Sequence, residues 1–313
     1  MKGLELADKF YLEYGAPMLQ KEFPELFSII AIGLCGSGSE CFGFDDEISK
    51  DHDFEPGFCI FVPDEDIIDE KTFFQLEKAY SSLPKEFMGY KRNTATAVGG
   101  SRHGVIRANR FFTEKTGTPD GNLTLKDWFF IPEQSLAEAT NGKIFKDDLG
   151  IFTDIRKKLS YFPEDVRLKK LAGNLLLMGQ AGQYNYSRCI KRNDTAAAQL
   201  AIFEFVKATL NVIFLLNRIY MPYYKWSFKA LQNCKKLSYL HNNLEFLISN
   251  GNDKTTAEKK IVLIEKICSD IFEELKSQNL TKYTGTEAES HAYSVNNAIK
   301  NNDIRNLHIL YGV

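Results

Sequence analysis

The 313-residue chain lacks most of the features that assign a class quickly. Its six cysteines, Cys35, Cys41, Cys59, Cys189, Cys234 and Cys268, form no CxxC pair and no metal-finger spacing, which argues against a redox dithiol and a structural zinc. No sign of charge dominates. The formal net charge is -2 and the isoelectric point near 6.3, so there is no global attraction to nucleic acid or to an anionic membrane. The opening Met1-Lys2-Gly3-Leu4-Glu5 has an early acid and no long apolar core, unlike a signal peptide. With the cysteine usage, this points to a reduced, cytoplasmic setting. The most apolar long run, residues 198–221, is broken by Glu204, Lys207 and Arg218, whereas a spanning helix needs about 20 largely uncharged residues. A buried amphipathic helix is expected there. Internal repeats and low-complexity tracts are missing as well.

What is present divides in two. Hydrophobic content of 44% suffices for a sizeable core, and the length suits two domains or one large one. Residues 5–23 read as a helix stopped by Pro24. Residues 26–34 (LFSIIAIGL) and 53–62 (DFEPGFCIFV) read as strands, the second with a bulge or edge at Pro56-Gly57. A helix is expected over 69–82, a glycine-rich loop over 94–104, and a third strand running into a helix over 105–112. Beyond Leu123 the pattern turns helical. Segments 123–139, 163–191, 195–220 and 255–277 carry helical spacing, with Thr195 and Thr255 as expected N-caps and Asn250-Gly251-Asn252-Asp253 as a loop. The expected fold is α+β, a small mixed sheet domain over 1–120 followed by an all-helical domain over 121–313.

The stretch GSGSECFGFDDEISKDHDF, residues 36–54, looks least like ordinary packing. A strand is followed by Gly38-Ser39, then by eleven residues, then by Asp51-x-Asp53 at the start of another strand. Strand side chains alternate, so Asp51 and Asp53 share a face while His52 takes the other. Two close carboxylates repel unless a cation lies between them. Mg²⁺ suits carboxylates combined with phosphate oxygens. A glycine lets backbone N–H groups approach a phosphate, and a serine hydroxyl adds a donor.

Gly38-Ser39 with Asp51-x-Asp53 resembles the signature of the nucleotidyltransferase superfamily, whose members look like the catalytic part of DNA polymerase beta. The longer wording resembles an uncharacterised bacterial branch, as do PEQSLAEATNGKIF (132–145), SYFPEDVRLKKLA (160–172) and YMPYYKWSFKALQ (220–232). The resemblance implies that Gly38 and Ser39 hold nucleotide phosphates and that Asp51 and Asp53 ligate Mg²⁺. An acceptor would attack the α-phosphate of a nucleoside triphosphate, ATP foremost, with pyrophosphate leaving. Catalysis would come from positioning and charge neutralisation. Similar small-molecule enzymes, such as aminoglycoside nucleotidyltransferases, suggest a small-molecule acceptor. The chain departs from the pattern at the third acid: on the best-placed strand, 103–107, Ile106 stands there, with Arg102 and Arg107 nearby. That departure keeps a non-catalytic nucleotide-binding or regulatory protein as the alternative.

Other candidates have plainer readings beside the functional ones. Lys225, in Tyr223-Tyr224-Lys225-Trp226, is a candidate phosphate ligand, or a lysine stem packed on aromatics. Arg188, Lys191 and Arg192 suit a helix C-terminus, and Tyr184 and Tyr186 suit core or wall packing. Glu40 either caps a helix or lines the site. Asp45, Asp46 and Glu47 read as a solvated loop, Gly99-Gly100-Ser101 as a plain turn without a P-loop pattern, and Cys35 and Cys41 as small buried residues. His52-Asp53 read as a phosphohydrolase dyad would need further histidines at helical spacing, which His103, His241, His291 and His308 do not supply. No basic, aromatic-interleaved stripe points to a nucleic-acid acceptor.

Overall fold

Residues 1–50, 54–92 and 102–313 are described by the structure, a computed structural model. They form a mixed α+β fold, as expected, in two units: Met1–Thr124 with Ile131–Ser160, and Leu125–Phe130 with Tyr161–Val313.

The first unit is built on strands β1 (Ala31–Leu34), β2 (Cys59–Val62), β5 (Gly104–Arg107) and β6 (Lys143–Asp147), in the order β5-β2-β1-β6. β1 is antiparallel to both neighbours, and β2 is parallel to β5. Strands β3 (Glu86–Phe87) and β4 (Tyr90–Lys91) make a separate hairpin. β1 and β2 are buried on both faces, which is why they read as continuous apolar runs without alternation. On one face Phe58, Ile60 and Val62 pack with Leu6 and Phe10 of helix Gly3–Phe10 and with Leu76 and Tyr80 of helix Glu70–Ser82. On the other, the Phe61 ring stacks on Phe152 with centroids 4.1 Å apart and meets Phe111 edge-on at 5.1 Å. Those partners come from helices Ile151–Lys158 and Ala108–Thr116. Each such buried side chain contributes about 1.5–3 kcal/mol.

Three expectations for this unit need correction. The strand read over 26–34 starts only at Ala31, and that over 53–62 only at Cys59. Pro56 has no N–H to give a ladder, and Phe54–Phe58 run as loop. β6 was not anticipated. Its sequence, KIFKD, is half-exposed and charged, as suits an edge strand, and it hides among helices. Because β6 completes the sheet, the first unit runs to Ser160, and a boundary near residue 120 would cut through it.

The second unit is helical. Helix Thr195–Asn217 buries one face through Ile202, Phe205 and Thr209, and its whole circumference near the C-terminus, where Val212, Ile213, Phe214, Leu215 and Leu216 are buried in succession. It is long and apolar enough to cross a membrane by length and composition, yet 67% of its most apolar window is buried inside the fold. Its N-cap is Asp194, whose carboxylate accepts from Ala197 N at 3.0 Å, and helix Lys254–Ser277 is capped by Asp253, which accepts from Thr256 N at 3.1 Å. The expected caps, Thr195 and Thr255, instead lie inside the first turns, one and two residues past the acids whose side chains reach back to the free N–H groups.

Candidate functional site

The strand directions bring four chain segments to one end of the sheet. β1 ends at Leu34, while β2, β5 and β6 all begin at that level, opposite one another in the registers Gly33↔Cys59, Cys59↔Gly104 and Leu34↔Lys143. The glycine-serine turn, residues 54–58, the Arg102-His103 pair and the Asn141-Gly142 corner therefore meet there.

The turn is held from below by side chains far away in sequence. Gly36 N donates to Asn141 Oδ1, and Asn141 Nδ2 donates back to the Gly36 carbonyl, both at 2.8 Å. Gly142 N donates to the Cys41 carbonyl at 2.9 Å. Arg156 donates to the Thr140 carbonyl at 2.6 Å and to that of Asn141. The turn then closes on itself, with Phe44 N donating to the Ser39 carbonyl at 2.8 Å. Gly38 sits at φ +124°, a conformation that only glycine adopts without strain, and the Glu40 and Arg102 side-chain ends occupy the place of a Cβ, 2.4 and 2.6 Å from it. Gly38 and Ser39 are half-buried, within reach of solvent.

Around the turn, charged groups are paired. Glu40 is buried, with Arg102 Nη1 3.5 Å away, and no helix begins at it, so its helix-capping reading falls. His103 Nδ1 lies 3.1 Å from Glu55 Oε1. On the outer side Ser37 Oγ donates to Glu138 Oε2 at 2.9 Å, and Lys115 Nζ donates to Ser37 Oγ at 3.1 Å and to Glu138. Beneath lie Cys35, Cys41 and Cys59. Burial pushes the Cys35 thiol up to about 12 and the other two well above the ordinary value, so all three are unreactive packing groups, as read for Cys35 and Cys41.

Of the acids crowded after the turn, Asp45 departs from its solvated-loop reading. It is 3% exposed, accepts from Gly3 N at 2.9 Å, and pairs with Lys2 at 3.4 Å, anchoring the first helix by its N-terminus. Asp46 is exposed and accepts from Ser49 N at 3.0 Å. Asp51, His52 and Asp53, and Gly99-Gly100-Ser101, lie outside the described residues. Ile106 is confirmed on β5, opposite Phe61 of β2. Arg107 is a structural clamp, donating to the carbonyls of Pro63 and Ile68 at 2.9 and 2.6 Å and to Glu70 at 2.7 Å. Among the described residues no three His, Cys, Asp or Glu groups stand together as a metal set. The Mg²⁺ assignment thus rests on Asp51 and Asp53.

Lys225 belongs to the second unit, in the first turn of helix Tyr224–Gln232. Its Nζ lies 5.1 Å from the Trp226 ring, and Lys229 Nζ lies 5.3 Å from the same ring. In that unit buried Tyr186 donates to Asn252 Oδ1 at 2.9 Å, matching its packing reading, whereas Tyr184 is exposed, with the Arg188 guanidinium 4.0 Å from its ring centroid, and is not a core residue. The residues that sequence reasoning missed are Lys115, Glu138 and Asn141. Lys115 reads as an ordinary cation in the last turn of a helix, and only the chain crossing from β1 to β6 reveals the other two.

A family model described as a domain of unknown function (DUF4037) matches residues 128–227, a span that includes Glu138, Asn141 and Lys225. Comparison with curated proteins and with solved structures returns no match.

Proposed function

We propose that the chain is a Mg²⁺-dependent nucleotidyltransferase that moves a nucleoside monophosphate from a nucleoside triphosphate, ATP foremost, to a small-molecule acceptor in the cytoplasm. The observation that carries this reading is the convergence of four strand ends on a turn in which only glycine fits at residue 38. Backbone N–H groups and the Ser39 hydroxyl are the proposed phosphate donors. Asp51 and Asp53, on the segment that leads into β2, are the proposed Mg²⁺ ligands. The metal would neutralise charge on the phosphates, while the turn holds the chain of phosphates in place. The resemblance of Gly38-Ser39 and Asp51-x-Asp53 to the nucleotidyltransferase signature supports the reaction class.

A second reading, a non-catalytic nucleotide-binding or regulatory protein, is favoured by Ile106 on β5 and by the Glu40–Arg102 pair. Ile106 puts an apolar side chain where a further metal-binding acid would be sought, and Arg102 offsets the charge of Glu40. Titration with each nucleoside triphosphate, with and without Mg²⁺, tests the assignment on wild type and on Asp51→Asn/Asp53→Asn. Mg²⁺-dependent binding lost in the double variant is the expected result, and equal binding by both proteins overturns it. Pyrophosphate release across a panel of acceptors then separates transferase from binder.

A further inference from the structure

We propose that Ser37 and Lys115 form a phosphate-binding pair at the rim of the turn, and that Glu138 fills it as an internal anion which a polyphosphate displaces. The inference rests on the reading of Gly38-Ser39 as a nucleotide-holding turn and adds two ligands and a competitor to it.

The geometry is that of an anion site with its anion supplied by the protein. The Glu138 carboxylate accepts from Ser37 Oγ at 2.9 Å and from the Lys115 ammonium, and that ammonium also donates to Ser37 Oγ at 3.1 Å. A hydroxyl and an ammonium converging on one oxygen are the donors a phosphate oxygen takes. The group is open to solvent: Ser37 is exposed, and the Lys115 and Glu138 side chains keep 20% and 18% of their surface. Ser37 is fixed in place because its neighbour Gly36 is held on both its N–H and its carbonyl by Asn141. Three elements supply the parts: the turn after β1, the last turn of helix Ala108–Thr116, and helix Glu133–Thr140. Lys115 donates to Ser37, the residue before Gly38, so a polyphosphate held by backbone N–H groups at Gly38 and Ser39 can bring an oxygen to it. A carboxylate beside a polyphosphate is repelled, and the free energy of parting Glu138 from Lys115 is then set against binding.

The two side chains must therefore act with opposite sign. Calorimetric titration of the full chain with inorganic tripolyphosphate, and separately with ATP and Mg²⁺, compares wild type, Lys115→Met and Glu138→Gln. Lys115→Met is expected to weaken both probes about tenfold or more, the loss of one charge-assisted hydrogen bond. Glu138→Gln is expected to tighten both several-fold, because a neutral amide competes less well for the ammonium. A merely structural ion pair weakens binding in both variants or in neither, and either pattern overturns the inference while wild-type binding leaves the nucleotide reading standing. Weakening by Glu138→Gln of the Mg²⁺-containing probe alone makes Glu138 a metal ligand, and also overturns it. If wild type binds neither probe, the nucleotide reading falls first and the inference with it.

Discussion

Gly142 shows how much a single residue carries at the candidate site. Its φ is +69°, and a Cβ there would lie 2.0 Å from the Leu34 carbonyl oxygen and 2.8 Å from the Cys35 Cα, both backbone atoms that cannot swing aside. Gly142→Ala is expected to destabilise the first unit by about 3 kcal/mol or more, combining left-handed strain with overpacking, as read from denaturant unfolding. At Gly38 the constraint is the backbone itself, at φ +124°, because the Glu40 and Arg102 side-chain ends that face it can move. Asp45 teaches the opposite lesson. In a run of three acids it has no local mark to distinguish it, and its burial follows from the approach of Gly3, more than forty positions away in the chain.

Among the elements, the helices are the more legible, because an amphipathic stripe is local in sequence, although the capping acids Asp194 and Asp253 escape the reading. Helix Glu164–Met178 adds an electrostatic device at its start. The Glu164 carboxylate accepts from Arg167 at 2.6 and 3.0 Å and from Arg218 at 2.8 Å, and the Arg167 hydrogen bonds hold it below the usual carboxylate range. A carboxylate depressed by folding contributes stability that is complete above its unfolded value, about 4.3, and is lost as pH falls through the lower folded value. Wild type is therefore expected to lose stability more steeply than Glu164→Gln below about pH 4, a difference read by following the unfolding free energy against pH. The effect is small, because the side chain is 47% exposed and screened by solvent. β6 lay at the other extreme of legibility. Five residues with three charges present no strand pattern, and their role is visible only when Lys143 and Ile144 are seen opposite Leu34 and Gly33.

At the scale of the whole molecule, the chain is not cut once between an α/β half and a helical half. Helix Leu125–Phe130 belongs to the second unit, where Trp128 meets Phe162 edge-on at 6.0 Å and Phe129 meets Tyr311 at 5.1 Å, before residues 131–160 return to complete the first. A fragment of residues 1–120 lacks both β6 and the Asn141 clamp on Gly36. It is expected to lose cooperative thermal unfolding, whereas residues 1–160, which retain all four strands of the sheet, are expected to melt in one transition by circular dichroism. Cooperative melting of the shorter fragment would show that β6 is dispensable.

By itself the sequence determined the α+β class, the long helices, the buried strands β1 and β2 and the glycine-serine turn between them, because periodicity and apolar runs act over a few residues. Only the tertiary structure decided that the sheet is completed from residue 143 onward, that Asp45 is buried, and that Ser37, Lys115 and Glu138 meet at one rim. Those outcomes depend on contacts between segments about forty to a hundred residues apart, and no local pattern encodes which distant segment meets which.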